Sequence, residues 1–143
     1  MGYATVTSIP CTSAAFAKLA VAILRAGRAV QFRARGTSMS PLVRDGDIVL
    51  VWPLNPRKVR LGDVVLFTDG PGHVFLHRVV RKRRSRAGIG FTVQGDRLSQ
   101  PDGVIPEALV HGLVTAIDRQ GVRIELHGSL ARMLGWSMVV RSR

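Results

Sequence analysis

Ser38, His77, Asp96 and Asp102 are the residues of this 143-residue chain whose types and order suit covalent chemistry. Ser38 follows Gly36-Thr37 at the end of the strand-like run Val30-Gln31-Phe32-Arg33-Ala34-Arg35, and it opens Ser38-Met39-Ser40-Pro41. A serine hydroxyl is a poor nucleophile at neutral pH unless a base takes its proton. His77 is the base on offer. It lies within Val74-Phe75-Leu76-His77-Arg78-Val79-Val80, which reads as a hairpin partner of Val64-Val65-Leu66-Phe67. Val93-Gln94-Gly95-Asp96 and then Asp102 supply carboxylates to orient the imidazole. In a Ser-His-Asp set the imidazole takes the hydroxyl proton, and the carboxylate fixes the tautomer and stabilises imidazolium. Taken singly, each residue has an ordinary reading: a turn serine, a strand histidine, a loop aspartate. Their coincidence in one chain changes that.

In this order the blocks resemble the type I signal peptidase superfamily. Its motifs are S-M-x-P with a downstream G-D, G-D-V-V with H-R-V, and G-D with a following Asp. Here they stand as Ser38-Met39-Ser40-Pro41 with Arg44-Asp45-Gly46-Asp47, Gly62-Asp63-Val64-Val65 with His77-Arg78-Val79, and Gly95-Asp96 with Asp102, across roughly residues 30 to 118. The resemblance implies a serine endopeptidase that cleaves a leader or precursor peptide. Bacterial signal peptidases and the self-cleaving SOS and phage repressors use lysine as the base, whereas archaeal and endoplasmic-reticulum signalases use histidine. None of Lys18, Lys58 and Lys82 occupies the base position and His77 does, so the chain resembles the signalase branch. The roles implied are Ser38 as nucleophile, His77 as base and Asp102 as orienting carboxylate, with Asp96 structural or a secondary stabiliser.

The resemblance also implies an extended substrate beside Gln31, Phe32, Arg33, Ala34 and Arg35, with Met39 as a further contact, and an oxyanion held at the Ser38 backbone amide with Thr37 nearby. Gly36 departs from the pattern, because many signal peptidases carry a hydroxyl there; losing such a donor costs about a hundred- to a thousandfold in rate. The rival expectation is a self-processing or non-catalytic regulator of the same fold, like the C-terminal domains of SOS repressors.

Composition narrows the rest. At 143 residues and 46% hydrophobic, the chain is long and apolar enough for a real core. A single cysteine, Cys11, excludes an internal disulfide framework, and His73, His77, His111 and His127 lack metal-ligand spacing, so no metal or other cofactor is expected. The net charge is +12, densest at Arg78, Arg81, Lys82, Arg83, Arg84 and Arg86 in the exit from the His77 strand. The bland reading is a solvated hairpin loop. The alternative is attraction to anionic lipid or nucleic acid, and with no helix-turn-helix or aromatic platform DNA binding is the minor reading. No run approaches the ~20 apolar residues of a spanning helix: Lys18 interrupts Ala14 to Leu24 and Arg132 interrupts Leu130 to Val140. The start, Met1-Gly2-Tyr3-Ala4-Thr5, does not read as a signal peptide. A cytoplasmic protein is expected, with peripheral contact at the inner membrane face as a further placement.

Three segments are expected: a leader and amphipathic helix (1–28), a catalytic β-domain (29–128), and a C-terminal helix with a basic tail (129–143). Residues 1–11 read as a loose leader. Thr12 or Ser13 caps a helix carrying Phe16, Leu19, Ala20, Ile23 and Leu24 on one face and ending near Gly27. Strands are expected at 30–35, 47–52, 63–68, 73–80, 89–95, 109–117 and 122–127, punctuated by Gly, Pro, Asn and Asp turns. The fold class is therefore mainly β, a compact, partly closed antiparallel fold with a short helix at each end. In the tail, Ser129 caps Leu130, Met133, Leu134 and Met138, and Trp136 with the terminal arginines suits either core packing or a peripheral membrane foot.

Overall fold

The computed structural model describes residues 7–8, 14–69 and 72–126. The expected cap at Thr12 or Ser13, Cys11, His127 and the C-terminal helix with Trp136 lie outside them.

Alternating apolar runs between turns fold as strands: β1 Thr7–Ser8, β2 Val30–Arg33, β3 Ile48–Pro53, β4 Val64–Thr68, β5 Val74–Ser85, β6 Gly88–Gln94, β7 Gly103–Pro106, β8 Val110–Arg119 and β9 Val122–Glu125. Among the described residues they form one sheet in the order β1-β2-β3-β8-β4-β5-β6-β7, with β9 on β8. The path does not close on itself. Every pairing is antiparallel except β1 with β2. The fold is mainly antiparallel β, as the pattern predicts.

β4 is buried throughout because a core lies on each of its faces. Val64 and Leu66 join Val30, Phe32, Val49, Val51 and Val114 on one side. Val65 and Phe67 join Val79, Phe91 and Val93 on the other. The first core is closed by α1, Ala14–Arg25. Phe16, Ala20 and Leu24 recur at a spacing of four, which puts them on one helix face, and all three are buried. Phe16 meets Phe32 edge-on at 5.0 Å between ring centres, a pairing that adds about 0.5–1.5 kcal/mol beyond the burial itself. Gly112 on β8 lets α1 approach: a Cβ there would stand 2.4 Å from Val51 Cγ1 and 3.1 Å from Leu24 Cδ1.

Three expectations change. Thr7–Ser8, inside the expected loose leader, pair with Val30 and Gln31. β5 runs on to Ser85, so Arg81, Lys82, Arg83 and Arg84 belong to a strand rather than a loop. Pairing holds them there: Arg81 lies opposite Thr92, Lys82 opposite Phe91 and Arg84 opposite Ile89, so the apolar partners are on β6. Gly103–Pro106, read as loop, adds to β6 as β7.

Two turns of the same make brace the first core. In Arg44-Asp45-Gly46-Asp47 and Arg60-Leu61-Gly62-Asp63 the third residue has φ near +92°, which glycine adopts without a Cβ penalty. In each, the closing aspartate N–H donates to the first carbonyl, and its carboxylate accepts from the first N–H, at 2.8 Å in Asp47 and 2.9 Å in Asp63.

Candidate active site

Ser38 stands in the turn that leaves β2. Two contacts hold the approach: Ala34 N–H donates to Asp47 O at 2.7 Å and Gly36 N–H to Asp45 Oδ1 at 2.9 Å. Beyond the serine, Ser40 N–H returns to Thr37 O at 3.0 Å and Val43 N–H to Met39 O at 2.9 Å. The loop is thus pinned on both sides of the hydroxyl. Met39 is buried beneath it, and its sulfur accepts from Asp96 N–H at 3.3 Å.

His77 enters from β5. Its Nε2 is 3.2 Å from Ser38 Oγ, and its Nδ1 is hydrogen-bonded to Asp102 Oδ2. An ionised carboxylate only accepts, so the Nδ1–H donates to Asp102 and Nε2 is left to accept the Ser38 hydroxyl proton. The imidazole is buried against Phe67 and Phe75, with ring centres 5.8 and 6.1 Å away. Asp102 owes its place to β7: its N–H donates to Val93 O at 2.8 Å as the chain turns into that strand. Ser38, His77 and Asp102 are therefore brought together in line.

Asp96 goes elsewhere. Successive strand residues face opposite ways, so Arg78 points away from His77. Its Nε and Nη2 take both Asp96 oxygens at 2.8 and 2.6 Å, and its Nη1 donates to Gly62 O at 2.7 Å. Both side chains are at least 97% buried, with 3% and 1% exposed. Asp96 is turned to Arg78 and makes no bond to the imidazole; of the two carboxylates read as candidates, only Asp102 reaches it. The Asp96 loop still serves the site, because Arg97 N–H donates to Ser38 O at 2.8 Å.

A cleft of about 320 Å³ opens at Ser38 and His77. Among the described residues β5 pairs with β6 only from Arg78 onward, so Val74–His77 are paired by β4 alone, and β1 covers β2 only at Val30 and Gln31. Two strand edges without a partner strand among the described residues thus flank the cleft. Of the expected substrate contacts, Phe32, Ala34, Arg35 and Met39 line it. Gln31 and Arg33 do not, because alternation turns them to the other face: Arg33 Nη1 donates to Gly46 O at 2.9 Å and Gln31 borders a separate depression. Sequence reasoning missed Phe16 and Ala17 of α1, and Phe75, as walls of the cleft. The amphipathic pattern of α1 marks a buried face without saying what else that face touches.

No lysine lines the cleft. Lys82 Nζ donates to Arg57 O and Val59 O at 2.8 and 2.9 Å, and burial, with the Arg84 charge, lowers its pKa. Among the described residues none accepts a hydrogen bond from the Ser38 N–H. Beside the cleft-lining Gly72 and His73, the Asp69 carboxyl lies below its ordinary value: desolvation raises it, and together the hydrogen bonds from the His73 ring, His73 N–H and Gly72 N–H outweigh that. Behind the serine loop, burial works to raise the Asp47 pKa, but the Arg119 hydrogen bond, the Arg44 N–H and both charges hold it below the ordinary 3.8. Among the described residues no three His, Cys, Asp or Glu side chains gather to hold a metal ion.

The arrangement can activate a hydroxyl beside an extended peptide. A family model for Peptidase S24-like proteins matches residues 7–87, which include Ser38 and His77 and stop short of Asp96 and Asp102. No curated protein matches the chain.

Proposed function

Since the chain belongs to the Peptidase S24-like family, we propose that it is a serine endopeptidase that cleaves a leader or precursor peptide with a Ser-His-Asp set, in the manner of the signalase branch. The observation that carries this reading is the bonded line from Ser38 Oγ through both His77 nitrogens to Asp102. His77 Nε2 takes the hydroxyl proton as Oγ attacks the scissile carbonyl, and Asp102 stabilises the imidazolium that forms. The Ser38 N–H, with Thr37 beside it, is the donor for the oxyanion. As the tetrahedral adduct collapses, the peptide C–N bond breaks, an ester to Oγ remains, and His77 gives its proton to the leaving amine. Water, activated by the same imidazole, then hydrolyses the ester. The free edges of β2 and of Val74–His77 suit an extended substrate whose backbone pairs while its side chains enter the apolar cleft.

The test is Ser38→Ala against a peptide library read by mass spectrometry, with thermal melting in parallel. Loss of all cleavage at unchanged melting is expected; equal cleavage by both proteins would remove Ser38 as the nucleophile.

Self-processing draws on a different observation. β1 already lies along β2, the strand that leads to Ser38, so part of the chain's own N-terminal region neighbours the cleft. An intact-mass shift in the parent that Ser38→Ala abolishes would favour this reading. No described helix is long and apolar enough to cross a membrane. We propose a cytoplasmic protein whose exposed β5 arginines make peripheral contact with anionic membrane.

A further inference from the structure

The cleft at Ser38 adjoins a second groove that runs along α1. Ala17 and Gly72 line both, and the second, of about 400 Å³, lies between α1 and the facing ends of β4 and β8. One stripe of α1 borders this groove: Lys18, Val21, Ala22 and Arg25, spaced as neighbours on a helix face. Lys18 and Arg25 are exposed, and neither has a carboxylate partner among the described residues. Across from them, Thr68 Oγ1 and His111 Nε2 are bonded to each other at 2.8 Å. Burial, then the Arg25 charge, lowers the His111 pKa below 6.5, so at neutral pH the positive charge of the groove belongs to the two α1 residues. Asp69, next in the chain to Thr68, is turned to Gly72 and His73, which engage both its oxygens. No carboxylate lines the groove.

We infer that this groove is a second substrate subsite, which takes the carboxylate side chain of an Asp or Glu lying outside the scissile pair of the bound peptide. It rests on the reading of the Ser38 cleft as a peptidase site, and it adds a charge requirement to a cleft whose own walls are mostly apolar. An extended peptide that runs along the free edges would leave the cleft at Gly72 and reach Lys18 and Arg25 with a side chain several residues from the cut. The neutral Thr68–His111 pair gives that side chain a polar floor without a competing charge.

The test uses three sets of otherwise uncharged peptides that carry Glu, Gln or Lys at one position, walked along both sides of the cut. The parent and the Lys18→Glu, Arg25→Glu double variant are compared by kcat/KM, and fluorescein-labelled copies are titrated onto Ser38→Ala at low and high salt. Glu at one position, and not at others, is expected to raise kcat/KM and binding about fivefold, the range of an exposed ion pair, with the gain reduced by salt. The double variant is expected to prefer Lys at that position with unchanged melting. Equal handling of Glu and Gln, an equal gain at every position, or an unaltered preference in the double variant overturns the subsite. Absence of cleavage with every peptide would sink the peptidase reading instead, while the titrations on Ser38→Ala still decide the groove.

Discussion

Gly95 stands against Ser38 so closely that a Cβ on it would lie 2.7 Å from the Ser38 carbonyl oxygen and 3.1 Å from Ser38 Cβ. The third sequence block therefore positions the first. The Gly95-Asp96 step passes beneath the serine loop, and Arg97 N–H and the Met39 sulfur tie the two together. In this site the glycine is needed for its missing side chain.

Gly95→Ala must push the Ser38 backbone or the loop opposite. We expect kcat to fall about a hundredfold, since a shift near 1 Å in a reacting group costs that much. Stability should fall by only about 1–3 kcal/mol, as for overpacking. Steady-state kinetics with urea titration separates the two; wild-type kcat in the variant would show that Ser38 has room to spare.

The two aspartates of the third block should fail differently. Asp102→Asn keeps the shape but offers the imidazole the wrong partner, and kcat is expected to fall on the order of 10⁴-fold with melting nearly unchanged. Asp96→Asn leaves Arg78 buried without its charge partner and should cost about 3–5 kcal/mol of stability. Whatever Asp96→Asn protein remains folded should keep most of its kcat. Melting curves beside kcat for both variants check this, and the reverse pattern would exchange the roles assigned here.

The sequence makes the strands legible where one face is buried, as in β2, β3 and β8, because alternation survives burial. β7 escapes notice because Gly103-Val104-Ile105-Pro106 is short, sits close to Pro101 and exposes Val104 at 68%. The far half of β5 escapes because its residues are arginines, and strand pairing rather than burial holds them. Ser38 and His77 stand out by their motifs. Whether Asp96 or Asp102 faces the imidazole is invisible in one dimension, since five residues of loop separate them. Only the pairing of Asp96 with Arg78, set by the alternation of β5, decides it.

Asp47 is expected to make the protein acid-sensitive. Its folded pKa lies below the ordinary 3.8, so its ionised form contributes stability above that value, and the contribution is lost as pH falls through the folded pKa. Asp47→Asn should cost on the order of 1–3 kcal/mol at neutral pH, the range for hydrogen bonds to a charged group. It should also flatten the acid limb of a stability–pH curve below 3.8. Urea midpoints measured across that limb for parent and variant check the sign, and parallel curves would show that Asp47 is not the linked group.

The proposed contact with anionic membrane is assigned to the arm formed by β5 and β6. Arg81, Arg83, Arg84 and Arg86 are exposed, the last in the turn after the strand, while the Lys82 ammonium is spent on Arg57 O and Val59 O. Each basic group near an anionic surface contributes roughly 1 kcal/mol and is screened within a Debye length. Four such groups on one strand and its turn suffice for salt-sensitive association without burying a helix. Changing the four arginines to Gln should abolish co-sedimentation with phosphatidylserine vesicles at low salt and leave melting within about 0.5 kcal/mol of the parent, as for surface changes elsewhere. Lys82→Gln should do the opposite: it keeps most vesicle binding but loosens the arm from the Arg57–Val59 turn. Equal binding by the parent and the four-arginine variant would move the contact away from this arm.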